Sequence, residues 1–380
     1  MRLGDICSKI GSGATPRGGK EVYSASGIPI IRSQNVLDWS FSSNGLAYLN
    51  DEQARTLSNV EVHQGDILLN ITGDSVARAC IVPSDVIPAR VNQHVAILRP
   101  KEKANATFIL AWLQTNKDLL LKLASSGATR NALTKRMLEG LDINLPSIDI
   151  QNHIAALISL IQSKINLNIK LNGYLLELAT TRFEQALFKS NRVVRLGDIV
   201  KLEDSKRVPL NSRDRDARKG PYPYYGATSI MDYVDDYLFD GIRVLLGEDG
   251  SVIDESGRPI LQYVWGKYWV NNHAHILAAA SDYSLEAIYI ALQRTPISHI
   301  VTGAVQRKIS QRNLNKLKLE MPDAKSLEYL QDIFAAYRCN CEENRGLVSL
   351  RDALLPKLMS GEIDVSKIDV AQLNSHLAEY

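Results

Sequence analysis

Two long stretches of the chain carry apolar residues at alternating steps of three and four. The first covers residues 154–187 and the second covers residues 327–358. Such spacing predicts amphipathic helices with a seam like that of a coiled coil. The inside of an ordinary helical bundle gives the same pattern, and this alternative stays open. Because each helix is long and has only one counterpart, we favour a pair of antiparallel spacer helices.

Shorter apolar runs lie outside these two helices and are separated by Gly, Pro, Asn and Ser. Residues 66–71 and 91–98 have the composition of buried strands. Residues 108–123 and 285–294 have the apolar spacing of short helices instead. The pattern therefore predicts strand-rich α+β domains outside the spacer helices.

One sequence pattern occurs twice along the chain. Residues 2–6 return letter for letter as residues 195–199, and residues 91–94 return with one change as residues 270–273. Further matches follow in the same order, at intervals of roughly 175 to 193 residues. A period of this length is far above that of stacking repeats. We interpret it as a tandem duplication of a domain plus its connecting helix.

The duplication and the two helices together predict the organisation of the whole chain. The fold class is α+β, with two tandem strand-rich domains separated by two long antiparallel helices and related by an internal pseudo-twofold. The predicted segments are residues 1–148 for the first domain, 149–190 for the central spacer helix, 191–323 for the second domain, 324–361 for the C-terminal spacer helix and 362–380 for a tail.

Composition limits the kind of protein without deciding its function. The 380 residues are 45% hydrophobic, and the formal net charge is +2. A nearly neutral charge neither requires nor excludes nucleic acid, because phosphate binding depends on how the basic residues cluster. No stretch approaches the roughly 20 apolar residues of a membrane span. We therefore expect a cytoplasmic chain without membrane contact, whose four cysteines are reduced.

Several short patterns approach a catalytic or cofactor motif without completing it. Residues 13–20 suggest a phosphate-binding loop, but Gly19 stands where that pattern needs lysine. His273 and His275 have the spacing of metal ligands on one strand face, yet packing or DNA contact is the better interpretation. The acidic string at residues 203–206 is expected to be a solvated loop. We therefore expect no catalytic residue, no metal and no cofactor in this chain.

Polar and basic residues collect in the predicted turns of both copies. Arginine reads guanine edges, and asparagine and glutamine read adenine, so these residue types suit DNA recognition. Ordinary loops are also rich in them, and for any single residue that interpretation is the simpler one. The candidates are Thr15, Arg17, Lys20, Arg32, Asn35, Arg78, Arg90, Asn92, Gln93 and Arg130 in the first copy, and Arg207, Arg213, Arg215, Lys219, Tyr224, Thr228, Asn271, Asn272, Gln306 and Arg307 in the second.

Two roles are expected among the candidates of the second copy. Arg207 and Lys219 are expected to bind phosphate, so their loss weakens binding to every sequence. Asn271 and Gln306 are expected to set the sequence preference.

The chain resembles the specificity subunits of type I restriction-modification systems. The resemblance rests on residues 3–6 and their repeat, on residues 27–32 and 65–68, on the segments 127–146 and 303–322, and on residues 354–361. It covers nearly the whole chain and implies a non-catalytic subunit that recognises a bipartite double-stranded DNA target. It also implies partners: two methyltransferase subunits, which alone bind S-adenosylmethionine, and motor-nuclease subunits that join for cleavage.

Two other classes of function remain open from the sequence. One is the DNA-recognition half of a methyltransferase or nuclease whose catalytic motifs are not visible. The other is a coiled-coil adaptor that contacts only protein, in which the duplicated polar loops would have no purpose.

Asn172 and Asn344 interrupt the apolar stripes of the two helices at matched positions, 172 residues apart. In an antiparallel pair with twofold symmetry, residues near the midpoint meet their own counterparts. We therefore expect the two side chains to face each other and to fix the register of the coil, since a buried amide opposite leucine is costly. The alternative is that both are solvated.

Overall fold

The helices and strands come from a computed structural model of the chain. It describes residues 1–16, 18, 22–125, 131–303 and 306–366. Three of the predicted DNA contacts, Arg17, Lys20 and Arg130, lie outside the described residues, as does most of the predicted tail. The chain divides into two compact units.

The first unit comprises residues 1–167 and 343–380. Its elements are α1 (Leu3–Ile6), β1 (Cys7–Ser12), β2 (Ile28–Ile31), β3 (Ala47–Leu49), α2 (Asp51–Thr56), β4 (Glu61–Val62), β5 (Ile67–Asn70), β6 (Ala79–Ile81), β7 (Ala89–Val91), β8 (Val95–Pro100), α3 (Ala106–Thr115), α4 (Lys117–Ser125), α5 (Lys135–Glu139) and the first half of α6 (Ile148–Lys189).

The second unit comprises residues 168–342. After the second half of α6 it contains β9 (Arg192–Arg195), α7 (Leu196–Ile199), β10 (Val200–Leu202), α8 (Ser212–Ala217), β11 (Lys219–Tyr225), β12 (Ile230–Val234), β13 (Phe239–Asp240), β14 (Arg243–Gly247), β15 (Leu261–Val264), β16 (Lys267–Val270), β17 (Ala274–Ala279), α9 (Leu285–Arg294), β18 (Val301–Thr302), β19 (Lys308–Ile309), α10 (Gln311–Asn315), β20 (Lys318–Met321) and the first half of α11 (Tyr329–Ser360).

The four-stranded sheets of the two units have the same topology. In the first unit the strand orders are β1-β8-β5-β6 and β3-β2-β7-β4, and in the second they are β10-β17-β14-β15 and β12-β11-β16-β13. The parallel pair β2 and β7 corresponds to the parallel pair β11 and β16, whereas the other pairs within these sheets are antiparallel. The duplication predicted from the sequence is therefore a duplication of the fold, and the α+β class is confirmed.

Each unit packs one helix of ten residues against its own sheet. In the first unit α3 buries Phe108 and Ile109 among Leu3, Ile67 and Leu98. In the second unit α9 does the same with Ile288 and Leu292. Burial of each such side chain contributes about 1.5–3 kcal/mol. Asn105 and Ser284, at the same position of each repeat, accept a hydrogen bond from the third residue of the helix and so begin it.

The elements predicted from periodicity are confirmed, with two changes. Helix α6 contains the first predicted stripe, α11 contains the second apart from Leu327, and α9 matches its predicted range. The predicted strand at 91–98 is two strands, because residues 92–94 form a turn between β7 and β8. The predicted helix at 108–123 is also divided, since Asn116 ends α3 and its side chain donates back to Trp112 O. Among the described residues, no helix has the length and apolar character needed to cross a membrane.

Within each unit, the segments of α6 and α11 pair in antiparallel fashion. In the first unit Arg351 Nη1 donates to Gln162 Oε1 over 2.8 Å, and Asn344 Nδ2 donates to the carbonyl of Ile165 over 3.3 Å. In the second unit Asn340 Nδ2 donates to Asn172 Oδ1 over 2.8 Å. Residues later in α6 therefore contact residues earlier in α11, as the predicted antiparallel arrangement requires.

Asn172 is buried, as expected, but its described partner is not the predicted one. Its Oδ1 accepts from Asn340, and its Nδ2 donates to the Tyr337 carbonyl and to Cys341 Sγ. Asn340 lies one helical turn before Asn344, so the predicted amide pair is displaced by that turn. The physical reason is the stagger of the seam: a side chain on one helix inserts between turns of the other instead of meeting its own counterpart.

Asn172→Ala should destabilise the chain by about 1–3 kcal/mol, because it leaves the half-buried amide of Asn340 and the Tyr337 carbonyl without the Asn172 side chain. Asn166→Ala is the matched control: this asparagine is exposed on the same helix and bonds only Gln162, so its loss should change stability by less than about 0.5 kcal/mol. Urea unfolding of both variants measures the difference. Equal unfolding midpoints would show that the buried amide is unimportant.

Candidate nucleic-acid interface

Each unit carries a depression formed by the same three loops. The first basin, of about 820 Å³, is lined by Ser33, Gln34, Thr72, Gly73, Asp74, Ser75, Arg78, His94, Asn131 and Ala132. The second basin, of about 350 Å³, is lined by Gly226, Ala227, Thr228, Ser229, Met231, Asp249, Gly250, Ser251 and His273. In both, one loop follows β2 or β11, one follows β5 or β14, and one is the turn before β8 or β17.

Matched backbone hydrogen bonds hold these loops in the two units. Asn92 N donates to the Ile31 carbonyl over 3.0 Å, and Asn271 N donates to the Tyr225 carbonyl over 3.0 Å. The loop after the central strand is anchored similarly, from Gly73 N to Asn131 O (3.4 Å) and from Gly250 N to Arg307 O (3.0 Å). Both glycines have positive φ angles, +77° and +79°, which explains why glycine occupies this turn twice.

Asn92 and Asn271 build the turns instead of reading bases. Both are almost fully buried. Asn92 Oδ1 accepts from the backbone N–H of His94 over 3.0 Å, and Asn271 Oδ1 accepts from that of His273 over 2.8 Å. This bond closes the turn between the two strands. The prediction that these asparagines contact DNA is therefore wrong. Their shared role in the turn explains why residues 91–94 recur at 270–273.

The two histidines that follow occupy the same position but have different partners. In the first basin Thr72 Oγ1 lies 2.6 Å from His94 Nδ1, and Gln93 Nε2 lies 3.2 Å from His94 Nε2. In the second basin Asp249 Oδ1 lies 2.7 Å from His273 Nδ1. Both ring nitrogens of His94 are therefore engaged. The Nε2 atom of His273 has no partner within the described ranges.

Several predicted DNA contacts line the basins or are exposed close to them in sequence. Arg78 lines the first basin and follows Ala77, whose φ of +68° is unusual for a residue with a side chain. Gln93 and Asn272 are exposed at the tips of the two matched turns. Thr228, Gln306 and Arg307 are exposed in the second unit, where Arg307 anchors the basin loop through its carbonyl. These residues are accessible to a ligand.

Two further candidates of the first unit are less accessible. Thr15 is half-buried, and its hydroxyl oxygen is buried without a described partner. Arg32 packs its guanidinium over the Tyr23 ring at 5.6 Å and donates to the Gly45 carbonyl. The second contact fixes the loop that begins the first basin.

Three other candidates are interior residues, which corrects their prediction as DNA contacts. Asn35 is fully buried, and its amide closes a loop by donating to the Ser42 carbonyl over 2.9 Å. Arg90 is buried against Glu61 at 3.0 Å and donates to the Ala54 carbonyl. Tyr224 is buried in a small cluster with Val234 and Trp269. A buried side chain presents no surface to a base edge.

The basic candidates of the second unit are mostly neutralised by neighbouring acids. Arg207 is paired with Glu248 at 2.6 Å and donates to Ala274 O, so it holds the protein together and is not the predicted phosphate contact. Arg215 and Lys219 both pair with Asp232, at 3.2 and 2.8 Å. Lys219 is nevertheless exposed. Arg213 is exposed, and no described residue pairs with it.

A buried charge network underlies the second basin and was not expected from the sequence. His275 Nδ1 lies 2.6 Å from Asp204 Oδ2, and its Nε2 donates to the Ile309 carbonyl over 2.8 Å. Glu248 joins the group through Arg207 and through Lys308 at 3.2 Å. Glu203 and Asp204, predicted to lie in a solvated loop, are both buried. Each carboxylate is satisfied by one partner from a distant strand, Arg243 for Glu203 and His275 for Asp204, and by a basic residue three positions further along the chain.

The network lowers the pKa of two carboxyl groups despite their burial. Burial alone would raise the pKa of Asp204, but hydrogen bonds from His275 and from Ile276 N, with the charges of His275 and Arg207, hold it below its usual value. The pKa of Glu248 is likewise lowered against burial by Arg207, His275 and Lys308. Asp204, Glu248 and His275 are close enough to share a metal ion, but Arg207 and Lys308 already balance the two carboxylates.

The first unit has no equivalent of this network at the matched strand positions. The strand registers place Ile71 and Ala96 where the second unit has Glu248 and His275. Both are buried apolar residues of the first core. The frames of the two basins are therefore the same, while their interiors and their linings differ.

Comparison with known proteins identifies relatives across the chain. A family model described as "type I restriction modification DNA specificity domain" matches residues 1–175 and again residues 189–337. The chain is 22% identical over 411 residues to the type I restriction enzyme MjaIX specificity subunit of Methanocaldococcus jannaschii, covering 97% of this chain and 94% of that protein.

Two further matches are to part of a curated relative and to a solved structure. A 127-residue stretch is 30% identical to a Haemophilus influenzae protein provisionally named a type I restriction enzyme specificity subunit, but it covers only 32% of that protein and 33% of this chain. The crystal structure of the S subunit of a type I restriction-modification system from M. genitalium superposes with a TM-score of 0.54 at 14% identity, covering 94% of this chain and 95% of that one. That similarity shows the fold.

The buried network predicts loss of stability in acid. Because the pKa of Asp204 is lower in the folded protein than in the unfolded chain, its contribution is present above about pH 4 and is lost as the pH falls through the folded value. Asp204→Asn should cost about 3–5 kcal/mol at pH 7 and should flatten the acid limb of the stability profile. Unfolding followed from pH 2 to 8 measures both effects. Asp282→Asn, at an exposed position, is the control, and a mutant profile parallel to the parent's would exclude this origin of the acid dependence.

Proposed function

Because the chain belongs to the type I restriction-modification DNA specificity family, we propose that it reads a bipartite double-stranded DNA target, with one unit for each half-site. The recognition domains would be residues 1–148 and 191–323. The observation that carries this proposal is the pair of basins, which share one backbone frame and present different side chains.

The matched positions in the two basins differ in hydrogen-bonding character. Gln34 and Thr228 occupy the loop after the central parallel strand, and Gln93 and Asn272 occupy the turn tips. Asn131 corresponds to Arg307 through the shared anchor to glycine. Since donor and acceptor patterns distinguish base pairs in the major groove, different linings support different half-sites.

The cationic candidates differ in whether a neighbouring acid neutralises them. Arg78, Arg213 and Arg307 have no described acidic partner, unlike Arg207 and Arg215. We assign the first three to DNA contact, and Arg207 to structural support of the second basin.

The length of the central helix supports a divided target. The 42 residues of α6 extend roughly 63 Å at 1.5 Å per residue. One turn of DNA is about 34 Å, so the helix is long enough to separate two half-sites by more than a turn.

In the proposed complex this chain supplies recognition, and other subunits supply chemistry. Two methyltransferase subunits would bind S-adenosylmethionine and methylate the target, and motor-nuclease subunits would join for cleavage. The rival proposal is that this chain is itself part of a methyltransferase or nuclease. Incubation of the purified chain with labelled methyl donor and DNA distinguishes the two proposals. Methyl transfer without partner subunits would exclude a role limited to DNA recognition.

An exposed apolar stripe on α6 is the proposed docking surface for a methyltransferase subunit. Leu171, Tyr174 and Leu178 lie on one helix face, and their exposed fractions are 43%, 55% and 42%. Contiguous exposed apolar side chains are typical of surfaces that contact another protein. The equivalent positions on α11, 172 residues later, are Glu343, Gly346 and Leu350.

Exchange of residues 1–148 for the first domain of a relative with another target should change one half-site and leave the other unchanged. The reason is that each basin is built entirely within its own unit. Mapping of methylated positions in DNA modified by the parent and hybrid complexes measures this. A hybrid that alters both half-sites would contradict the assignment of one unit to each.

Leu171→Glu with Leu178→Glu should weaken binding of the methyltransferase subunits at least tenfold, since two charges would enter an apolar contact. Co-purification and sedimentation of the mixed subunits measure assembly. Leu119→Glu is the matched control, because Leu119 is an equally exposed leucine (44%) on α4. Assembly that is unaffected by the double substitution would place the docking surface elsewhere.

A further inference from the structure

We propose that His273 reads a base in the second half-site through its Nε2 atom, and that Asp249 is the positioning residue that makes this contact selective. The inference rests on the proposed function, and it assigns a specificity-determining contact to one particular atom. It follows from the difference between the two basins at their matched histidines.

Asp249 fixes the proton of the His273 ring. A carboxylate only accepts hydrogen bonds, so the 2.7 Å contact between Asp249 Oδ1 and His273 Nδ1 places a proton on Nδ1. In a neutral ring the other nitrogen, Nε2, is then an acceptor. Other charged groups nearby are already engaged: Lys308 pairs with Glu248 at 3.2 Å, and Arg207 donates to the carbonyl of Asn272 over 3.3 Å.

The His273 side chain is accessible to a ligand in the second basin. The side chain of His273 is 47% exposed, whereas that of Asp249 is 20% exposed. The ring lines the second basin together with Thr228 and Ser251. Its backbone is fixed, since its N–H donates to the buried side chain of Asn271. A rigid backbone and an oriented ring together pre-organise the acceptor for binding.

An acceptor at this position limits what His273 contacts on DNA. Phosphate and deoxyribose oxygens are acceptors and offer no proton to Nε2. Among base edges in the major groove, only the exocyclic amino groups of adenine and cytosine are donors. His273 therefore distinguishes adenine or cytosine from guanine or thymine at one position, and it adds nothing to sequence-independent binding.

The matched histidine of the first basin lacks this capacity. His94 Nε2 accepts from the Gln93 amide, which places the ring proton on Nδ1 beside Thr72 Oγ1. Both nitrogens of His94 are thus used within the protein. The contact assigned to His273 belongs to the second unit alone.

The experiment is selection of bound duplexes from a randomised pool by the complex assembled with methyltransferase subunits, carried out at pH 8. In His273→Phe we expect a five- to tenfold loss of preference for adenine or cytosine at one position of the second half-site. The first half-site should be selected as before, which also shows that the variant folds and assembles. His299→Phe, at an exposed position outside the basin, should select like the parent.

Two variants of Asp249 test its positioning role. Asp249→Asn keeps an oxygen that accepts from Nδ1 and should retain the preference. Asp249→Ala frees the ring and should lose most of it, while the salt dependence of binding stays unchanged because no phosphate contact is removed.

Unchanged selection by His273→Phe overturns this inference alone. So does a uniform loss of affinity with a weaker salt dependence, which would indicate a phosphate contact. Selection of no sequence by the parent complex would instead overturn the proposed function itself.

Discussion

The hydrogen bond from a histidine backbone N–H to a buried asparagine side chain determines the geometry of both basins. Asn92 and Asn271 make this bond, and their own N–H groups anchor the neighbouring parallel strand. One side chain thus joins a sharp turn to the centre of a sheet. The loops that line each basin begin or end within a few residues of it, so their positions depend on a bond that touches no ligand.

The two units illustrate how a duplicated frame diverges. Backbone hydrogen bonds, positive-φ glycines and strand orders are retained, because changing any of them would disturb the whole sheet. The residues beneath the basin can change as long as every buried polar group keeps a hydrogen-bond or charge partner. One unit fills it with Ile71 and Ala96, and the other fills it with Glu248 and His275 and their partners. The second solution depends on charge balance, so it responds to pH in a way that an apolar core does not.

The sequence predicted the architecture well because its signals are local or repeated. The periodicity of residues 154–187 is a property of one helix, and it is confirmed by α6. Repetition of residues 2–6 and 91–94 predicted two copies of one fold, which the sheet orders confirm. The division of the predicted strand at 91–98 does not follow from the sequence pattern, because an asparagine such as Asn92 suits a DNA contact as well as a turn.

The candidate site was harder to predict, because residue type does not reveal burial. Arg90 and Arg207 look like DNA-binding residues until their acidic partners are known, and Glu248 lies 41 residues from Arg207. His275 and Asp204 are 71 residues apart. Pairings over such separations depend on strand order, which single-sequence patterns do not give. Gly73 and Gly250, in contrast, stand at matched positions of the two copies and could have indicated the basin loops.

In each basin the hydrogen bonds that hold the loops form a frame, and the exposed side chains of those loops form a rim. Because different residues make the frame and the rim, new specificities can evolve in a particular way. Thr228, Asn272 and Gln306 are exposed, and their side chains make none of the described hydrogen bonds that hold the loops. Substitutions at such positions usually change stability by less than about 0.5 kcal/mol. A lineage can therefore explore many rim sequences without approaching the threshold below which the protein unfolds. Substitutions at the rim change the stability of the fold little, so selection acts mainly on the DNA sequence that each variant prefers.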